Sequence, residues 1–448
     1  MKKIIKVLLI VSVFTSCKKF LDEKPDKSVA VPSTLQDMQA ILDNQSNLNI
    51  AYSSLAEIAA DDYYLTYADW AASSDNDRLN HIWDANAEYP NNWIGPYKAL
   101  LYANTVLDNI ENIPVTESNL NLWNNCKGQA LFFRSFIFFQ TAQLYSLPWE
   151  NNGTHEGLGI PLRLTAAIDE PTIRSTIQQT YDQLIADATA AVSLLQTDNV
   201  VKTRPNKGAA FGLLARIYLS MRQYELAGRY ADSCLQLYGQ LIDYNTINAA
   251  ATIPFLIFNP EVIFHSTSPG SSILNSARAK VDSVLFGSYM VNDLRRTVFF
   301  KNNGNGTYGF KGHYHGAVAN SFFNGITTDE MWLIKAECLA RTGSTGNAMA
   351  ALNTLLIKRW KAGTFVPFTA GDATAALNII LSERRKELLF RGLRWQDLRR
   401  LNFETAYMKT LTRQLNLQVY SLVPGDLRYA MLIPSDVIKL TGIPQNPR

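Results

Sequence analysis

Two stretches of the chain carry the same helical pattern, and that pattern restricts the fold more than any other feature of the sequence. Residues 204–237, RPNKGAAFGLLARIYLSMRQYELAGRYADSCLQL, form two amphipathic segments around the short polar turn MRQ. Residues 327–360, TTDEMWLIKAECLARTGSTGNAMAALNTLLIKRW, repeat the arrangement. Small residues opposite large ones, in a unit of about 34 residues, are typical of a tetratricopeptide-type helix pair. We therefore expect a mainly α-helical scaffold built on such pairs, although unrelated amphipathic helices would share part of this pattern.

Four further segments predict helices because their apolar residues recur at helical spacing. We expect Ser33 to cap the first of them, and we expect capping boxes at Ser175 with Gln178 and at Thr327 with Glu330. One segment, CKGQALFFRSFIFFQTAQLYS, is so apolar that its helix should be almost completely buried. The four segments are 31–44, 91–113, 126–146 and 174–195.

A segment with a different sequence pattern, at about residues 255–325, separates the two helix pairs. Short β-branched and aromatic runs alternate there with Gly and Asn turns, and KNNGNGTYG at 301–309 predicts a hairpin or a surface loop. We expect irregular loops and a few short β-hairpins mounted on the helical frame. Loops held by a rigid scaffold are where binding residues concentrate.

The charge balance argues against one class of partner. The chain has 42 basic and 39 acidic residues, which give a net charge of only +3. A nucleic-acid-binding protein would present a concentrated basic face, so no nucleic-acid partner is expected. Aromatic residues make up 11% of the chain and offer flat surfaces for a core or for stacking on sugar rings and peptides.

The cysteine and histidine pattern predicts neither a disulfide framework nor a metal site. Cys126, Cys234 and Cys338 are an odd number and lie far apart in helical contexts, so each is expected to be a small core residue. The five histidines form no HExxH motif, and no Cys/His spacing fits zinc. No metal and no cofactor are therefore expected.

The N-terminus reads as a targeting segment. Lys2 and Lys3 precede the apolar stretch IIKVLLIVSVF, which is too short for the roughly 20 residues that span a bilayer. Small residues then lead directly to Cys17, as in a bacterial lipobox, where the thiol receives a lipid and becomes the mature N-terminus. We expect residues 1–16 to be a lipoprotein signal peptide, Cys17 to be lipidated and 17–30 to be a tether, with an ordinary signal peptide as the alternative. No later apolar run is long enough to span a membrane.

The densest charge pattern is LSERRKELLFRGLRWQDLRR at 381–400. Glu383 and Glu387 would repel one another at i,i+4 unless arginines bridge them, and Glu387 with Arg391 makes a favourable i,i+4 pair. Paired carboxylates can perform acid–base chemistry, but here each has an arginine within one turn. The pattern therefore favours a structural ion network that lowers carboxylate pKa values over a catalytic pair.

This segment resembles the C-terminal signature of the SusD/RagB family, E-R-R-x-E-L-x-F-E-G-x-R-W-x-D-L-x-R, with Arg391 where the family usually has Glu. A second departure is Ser146-Leu147, where the family usually has Gly-Asp. The resemblance covers essentially the whole chain after residue 16. Five other segments resemble family motifs in the same order: CKKFLDEKP, NNWIGPYKALLYANTVLDNI, QALFFRSFIFFQTAQLYSLPW, NKGAAFGLLARIYL and IPQNPR.

The resemblance implies one helical domain over 31–448, with tetratricopeptide-like pairs and a ligand face made by irregular loops. It also implies a lipid-anchored, cell-surface protein of the Bacteroidetes outer membrane, which is not an enzyme. Such a protein would capture an oligosaccharide or another nutrient and deliver it to a SusC-like TonB-dependent transporter. Two alternatives remain open: a tetratricopeptide-type scaffold that binds a peptide or protein, and a glycosidase, which would need two unpaired carboxylates in a cleft.

Two regions combine aromatic faces with polar groups, as sugar recognition requires. The resemblance also implies that both contribute to the ligand face. Trp83, Trp93, Trp332, Trp360 and Trp395 lie in helical motifs and are expected to be packing residues. The candidate ligand-binding residues are Asp61, Asp62, Tyr64, Tyr67, Trp70 and Asp75 in the first region and Tyr308, Tyr314 and His315 in the insert.

Overall fold

Consecutive helices pack side by side and form the frame of the molecule. The computed structural model describes residues 32–50, 52–197, 200–317 and 321–448. The predictions for the signal peptide, for Cys17 and for the tether lie outside these residues. The helices are α1 Leu35–Leu42, α2 Gln45–Leu48, α3 Leu55–Ala59, α4 Tyr67–Ala71, α5 Asp75–His81, α6 Pro90–Ile110, α7 Leu120–Tyr145, α8 Ile177–Leu194, α9 Lys207–Ser220, α10 Tyr224–Leu237, α11 Ser283–Gly287, α12 Arg295–Val298, α13 Thr328–Arg341, α14 Thr345–Leu356, α15 Ala373–Glu387, α16 Arg394–Leu401 and α17 Ser435–Thr441.

The expected tetratricopeptide-like pairs are present as α9 with α10 and α13 with α14. Helices α6 to α10 each pack against the next, α10 then packs against α13, and α13 packs against both α14 and α15. Small residues allow the close approach, since a Cβ on Gly228 of α10 would lie only 2.9 Å from the Cβ of Cys338 on α13. The prediction of a mainly α-helical scaffold is confirmed.

The expected helix caps are each displaced or absent. The first helix is capped by the Thr34 hydroxyl and not by Ser33. The capping box of α8 joins Thr176 to Gln179, one residue after the predicted pair, because the hydroxyl of Ser175 donates to Ile160 O at 2.7 Å. At α13, Thr327 makes no side-chain cap. Glu330 is instead 2.5 Å from the guanidinium of Arg216 on α9, so the ion pair between the two helix pairs replaces the capping box.

Helix α7 is the centre of the main hydrophobic core. Its buried side chains run from Cys126 to Tyr145, as its composition predicts. Phe132 and Phe136 stack with ring centroids 5.8 Å apart, and the edge of Phe264 from the insert packs against both. A second, smaller core lies between α13, α14 and α15. Cys126, Cys234 and Cys338 are free and buried, in agreement with the sequence prediction.

All the strand pairs of the described residues are antiparallel, and most belong to the insert. A four-stranded sheet has the order β1-β6-β8-β7, and the hairpin β7–β8 confirms the turn predicted at KNNGNGTYG. Within the same ranges, no helix is both long enough and apolar enough to cross a bilayer. The strands are β1 Tyr63–Tyr64, β2 Leu158–Pro161, β3 Arg174–Thr176, β4 Val262–Phe264, β5 Thr267–Pro269, β6 Lys280–Val281, β7 Phe300–Asn302, β8 Tyr308–Phe310, β9 Ser321–Phe323, β10 Ile326–Thr327, β11 Leu411–Leu415 and β12 Gln418–Leu422.

Candidate functional site

The four-stranded sheet brings the two candidate regions together. Tyr64 of β1 is opposite Lys280 of β6, which is in turn opposite Gly309 of β8. Because residues in register share a face of the sheet, the side chains of Tyr64 and Lys280 project on the same side. Tyr64 is 39% exposed while Lys280 is only 8% exposed, so this side is open to solvent at its Tyr64 edge and covered towards Gly309. The 61–75 segment and the insert therefore meet at one surface.

Two more aromatic rings lie beside this surface, on the short helix α4. Tyr67 is 46% exposed and its ring centroid is 5.7 Å from that of Trp70. The indole N–H of Trp70 donates to Arg78 O at 3.2 Å, and the Arg78 guanidinium lies 5.7 Å from the Trp70 ring. Arg78 also pairs with the exposed Asp75. We call Tyr64, Tyr67 and Trp70 the outer aromatic cluster.

An ion pair joins the helix to the sheet. The Lys280 ammonium, opposite Tyr64, pairs with the Asp69 carboxylate of α4 and also donates to Ala277 O at 3.3 Å. Since Asp69 lies between Tyr67 and Trp70 in the chain, this pair fixes the aromatic helix against the strand that carries Tyr64.

Tyr64 also lines a polar cleft of about 170 Å³. We call it the tyrosine cleft. Aromatic, anionic and cationic groups all border it, which is the combination that ring faces and hydroxyl groups of a sugar require. Its lining residues are Asp61, Tyr63, Tyr64, Leu65, His81, Asp282 and residues 409–415.

Three cations fix the Asp61 carboxylate at the floor of the cleft. Arg394 donates at 2.6 Å, Lys409 at 2.6 Å, and Arg385 lies 3.4 Å away. Burial alone would raise the pKa of Asp61, but these charges hold it well below its usual value. Asp61 is therefore an ionised acceptor in a fixed position and not a proton donor.

Asp62 lies beneath the cleft and is completely buried. Arg385 donates to its carboxylate at 3.2 Å. Burial raises the pKa of Asp62 to about 6, and the negative charge of Asp61 adds to the rise while Arg385 opposes it. In this structure Asp62 supports the cleft from inside and has no surface open to a ligand.

A single arginine holds the backbone that carries these residues. The Arg413 guanidinium of β11 donates to Tyr63 O at 2.6 Å and to Ala60 O at 2.5 Å. It also lies 5.0 Å from the rings of both Tyr63 and Trp83. The segment between α3 and β1 is thus tied to the C-terminal hairpin β11–β12, which fixes the cleft without any ligand.

The insert residue Tyr308 lies on the opposite side of the sheet from Tyr64. Side chains alternate along a strand, so Tyr308 shares its face with the buried Phe310 and not with the neighbouring Gly309. Its ring stacks on Phe286 with centroids 3.6 Å apart. Strand register therefore places Tyr308 on the other side of the sheet from Tyr64. The sequence alone does not reveal this register.

Tyr314 and His315 are both buried. The Tyr314 hydroxyl donates to Glu261 at 2.6 Å, and the Arg391 guanidinium lies 3.6 Å from the ring centroid. The His315 ring packs edge-on against His313 with centroids 5.3 Å apart, and burial lowers the pKa of His315 to about 4. Neither side chain faces the outer aromatic cluster, because the internal ion network holds Tyr314 and His315 is enclosed with His313.

The charged 381–400 segment is an internal ion network, as its pattern predicts. Its partners nevertheless come from distant parts of the chain. Arg295 bridges Glu383 at 2.5 Å and Glu387 at 3.0 Å, and Arg359 donates to Glu387 at 2.7 Å. These charges hold the pKa of Glu387 below its usual value against the effect of burial. Glu387 and Glu383 are thus bridged, but by arginines of other elements.

The predicted Glu387–Arg391 ion pair does not form. Helix α15 ends at Glu387, and Phe390 and Gly392 have φ angles of 55° and 70°, so residue 391 does not lie one helical turn further on. Arg391 instead pairs with Asp329 at 2.7 Å. The residue at which the sequence departs from the usual family motif thus binds a carboxylate at the start of α13.

The sequence analysis missed several groups that border the site. Lys280, Asp282 and Lys409 lie near the outer aromatic cluster or in the tyrosine cleft, yet no motif contains them. Lys280 and Asp282 reach the site because of the register of β6 in the sheet. Lys409 reaches it because the chain after α16 runs back alongside the 61–65 segment. The only sequence signal was their position in the insert and near the end of the signature segment.

Comparisons with known proteins agree with this fold. A family model described as "Starch-binding associating with outer membrane" (SusD-like) matches residues 19–219, and a model described as "SusD family" matches 328–432, which together take in more than half of the chain. No match to a curated protein was found.

Solved structures match over nearly the whole chain. A SusD superfamily protein from Bacteroides thetaiotaomicron aligns with a TM-score of 0.73 at 22% identity, covering 93% of this chain and 100% of that one. One from Bacteroides vulgatus aligns with a TM-score of 0.75 at 21% identity, covering 93% and 99%. A protein described as a laminarin binding SusD-like protein aligns with a TM-score of 0.65 at 15% identity, covering 92% and 97%. At these identities the matches show the fold.

Proposed function

Because this chain belongs to the SusD/RagB family, we propose that it is a binding protein that captures an oligosaccharide at the cell surface. The ligand would bind at the outer aromatic cluster and the tyrosine cleft. The family description, starch-binding, and the laminarin-binding relative of the same fold support a glycan as the ligand class.

One observation carries the assignment of the site. Tyr64 and Tyr67 are exposed and Trp70 is half-buried, and the Asp61–Lys409 ion pair lies in the cleft beside Tyr64. Aromatic faces pack against the apolar C–H faces of sugar rings, and charged or polar groups at the edge bind the hydroxyls. Since Arg413 and the ion network fix the backbone beforehand, little ordering would be needed on binding.

We further propose the setting in which the protein works. Residues 1–16 would be removed as a signal peptide, lipidated Cys17 and residues 17–30 would tether the domain 31–448 to the outer membrane, and a SusC-like TonB-dependent transporter would receive the ligand. The family description, which places such proteins at the outer membrane, supports this setting. Replacing Cys17 with Ser should abolish incorporation of a lipid probe, and a variant that is still labelled would contradict the anchor.

We propose binding without hydrolysis. Hydrolysis of a glycosidic bond needs one carboxylic acid and one carboxylate, both free to act. In the tyrosine cleft, Asp61 is surrounded by three cations that keep it ionised, and Asp282 caps α11 by accepting from Leu285 N at 2.7 Å. Asp62, beside Asp61 in the chain, is buried. Release of sugar from a panel of glycans by the purified protein would contradict this proposal.

The binding proposal is tested by titrating the purified chain with laminarin, starch and other glycans, using calorimetry. Trp70→Ala should weaken binding of the best ligand by tenfold or more. Trp123→Ala is a matched control, because this half-buried indole also donates its N–H to a backbone carbonyl, Ile110 O at 3.0 Å, and also lies beneath a cation, Lys127, at 4.8 Å. It should change the affinity less than twofold.

Equal losses in the two variants would show that the cluster is not the site. Saturable binding of peptides with no binding of any glycan would favour the alternative of a tetratricopeptide-type scaffold. In either case the fold assignment would stand and the ligand assignment would fail.

A further inference from the structure

A second cavity, of about 430 Å³, lies behind helix α16, away from the aromatic helix α4. We call it the Arg399 cavity. Leu147 and Pro148, Phe403, Met408 and Leu427 supply apolar walls, and several of these side chains are exposed. Such a cavity can take the apolar body of a small ligand.

Arg399 stands at the polar end of this cavity and differs from the other buried arginines of its segment. Its side chain is only 2% exposed. Two of its nitrogens donate to backbone carbonyls, Tyr429 O at 2.6 Å and Ser146 O at 2.7 Å. Its Nε has no partner in the described part of the chain, and no carboxylate pairs with it there. Arg384 and Arg400, by contrast, both bind Asp397.

Two further buried polar groups border the same cavity, and they lie next to one another. The Asn402 side-chain nitrogen and the Tyr429 hydroxyl are hydrogen-bonding neighbours, and neither has another partner within the described ranges. The Asn402 Oδ1 accepts from Lys409 N at 3.1 Å, which fixes the amide so that its nitrogen remains as a donor. Tyr429 stacks on Trp395 with centroids 4.9 Å apart, which fixes its hydroxyl. Unpartnered buried donors are costly, so the Arg399 Nε–H and the Tyr429 O–H, both next to this cavity, call for an acceptor.

The other charged groups around the cavity do not neutralise the positive charge of Arg399. Asp426 is paired with Arg428 at 2.6 Å, and Glu150 is exposed at the rim. The Arg222 guanidinium lies 4.1 Å from the Phe403 ring and adds a second cation next to the apolar wall. Burial without a carboxylate partner lowers the pKa of Arg399 to about 10, so the guanidinium is still charged at neutral pH.

We propose that the Arg399 cavity binds a small organic carboxylate. Its anionic head would accept hydrogen bonds from Arg399, Asn402 and Tyr429, and its aliphatic or aromatic body would pack against Phe403, Met408 and Leu427. This site is separate from the outer aromatic cluster and does not depend on the proposed glycan function.

The test compares a carboxylate with its neutral isostere on the mature full-length chain. Calorimetry and ligand-observed NMR would follow 4-phenylbutyrate, hexanoate and benzoate, each beside the corresponding amide. We expect at least one acid to bind tenfold or more tightly than its amide. Binding of no acid, or equal binding of acids and amides, would overturn the proposal.

Two variants locate the binding. Asn402→Asp places a carboxylate beside Arg399 while keeping the acceptor for Lys409 N, so it should reduce acid binding tenfold or more without lowering the Tm. Met408→Trp, at a half-exposed wall position, should reduce binding by filling the cavity. Asn347→Asp, an exposed site on α14, controls for the added charge and should leave binding unchanged.

Acid binding that survives both Asn402→Asp and Met408→Trp would also overturn the proposal. Glycan binding distinguishes this result from failure of the main function, since neither variant changes Tyr67 or Trp70. A chain that binds glycans but no acid refutes only the Arg399 cavity, and a chain that binds acids but no glycan refutes only the outer aromatic cluster.

Discussion

The segment richest in charge lies inside this protein, whereas an aromatic-rich segment lies at its surface. Glu383, Glu387 and Arg399 are buried, although such residues are usually exposed. Tyr64 and Tyr67 are exposed, although rings of this size usually supply cores and interfaces. Both regions therefore reverse the usual distribution, and they are in direct contact, because Arg385 and Arg394 reach Asp61 and Asp62 at the tyrosine cleft.

The reversal has one physical explanation in each region. Buried ions are tolerated when groups of opposite charge or backbone carbonyls surround them. Here Arg295 and Arg359 bring carboxylates from separate elements together, while Arg399 is held by two backbone carbonyls. Exposed aromatic rings gain little from contact with water, and a group of them side by side is typical of an interaction surface. The buried ion network thus holds in place a surface whose exposed aromatic rings do not themselves stabilise the fold.

The largest expected effect comes from breaking the network at its centre. Arg295→Met leaves Asp293, Glu383 and Glu387 without their common cation, which should lower the free energy of unfolding by about 3–5 kcal/mol. Urea unfolding followed by tryptophan fluorescence measures this. Arg296→Met is the matched control at the next residue, where the side chain is exposed and pairs with no carboxylate among the described residues, and it should cost about 1 kcal/mol or less.

Equal and small losses in the two arginine variants would show that the network adds little to stability. The contrast between a charged interior and an aromatic surface would then be incidental to the rigidity of the cleft.

A second prediction concerns Glu57, a buried acid at the boundary between the two regions. Its carboxylate accepts from the backbone N–H of Gly392, and burial, with a contribution from Asp62, raises its pKa from 4.5 to about 8. The folded protein therefore binds a proton that the unfolded chain releases between these pH values. Its stability contribution is present at low pH and is lost as the pH rises through this window.

Glu57→Gln removes this titration and keeps an oxygen to accept from Gly392. The variant's advantage in unfolding free energy over the parent should grow from about pH 4.5 to pH 8 and reach a few kcal/mol, again measured with urea. Glu117→Gln, at an exposed carboxylate, controls for the change in net charge. An advantage that does not depend on pH, or that shrinks as the pH rises, would contradict the assignment of Glu57 as a destabilised buried acid.

Local patterns in the sequence were enough to predict the frame. The helix pairs around Arg216 and Cys338, the buried helix α7 and the β7–β8 hairpin all follow from spacing within one element. The ionic character of 381–400 was also predictable, because opposite charges alternate within single turns. These features need no knowledge of distant contacts.

The partners of these residues were not predictable in the same way. Arg295 and Arg359 reach Glu387 from elements 92 and 28 residues away, so no local pattern contains the network. Strand register decides that Tyr64 faces solvent and that Tyr308 faces inward. Tyr314 is held inside by Glu261, which lies 53 residues away, so no spacing near Tyr314 could reveal its burial. The sequence thus named the aromatic residues of the candidate site, but it could not show which of them are exposed and which are buried.

The substitution Tyr67→Ala should have the smallest effect on stability, and it is the sharpest test of the surface region. The ring is half-exposed and packs mainly against Trp70, so its loss should alter the unfolding free energy by about 0.5 kcal/mol or less. If the outer aromatic cluster binds a glycan, the same change should weaken binding by about twofold to tenfold, since an aromatic contact contributes about 0.5–1.5 kcal/mol. Tyr230→Ala removes a ring from another surface pair, stacked on Tyr218 at 5.5 Å, and should leave glycan affinity unchanged. A large loss of stability in Tyr67→Ala would mean that this ring belongs to the packing of the protein, and the surface would then lack the open aromatic face on which its proposed function rests.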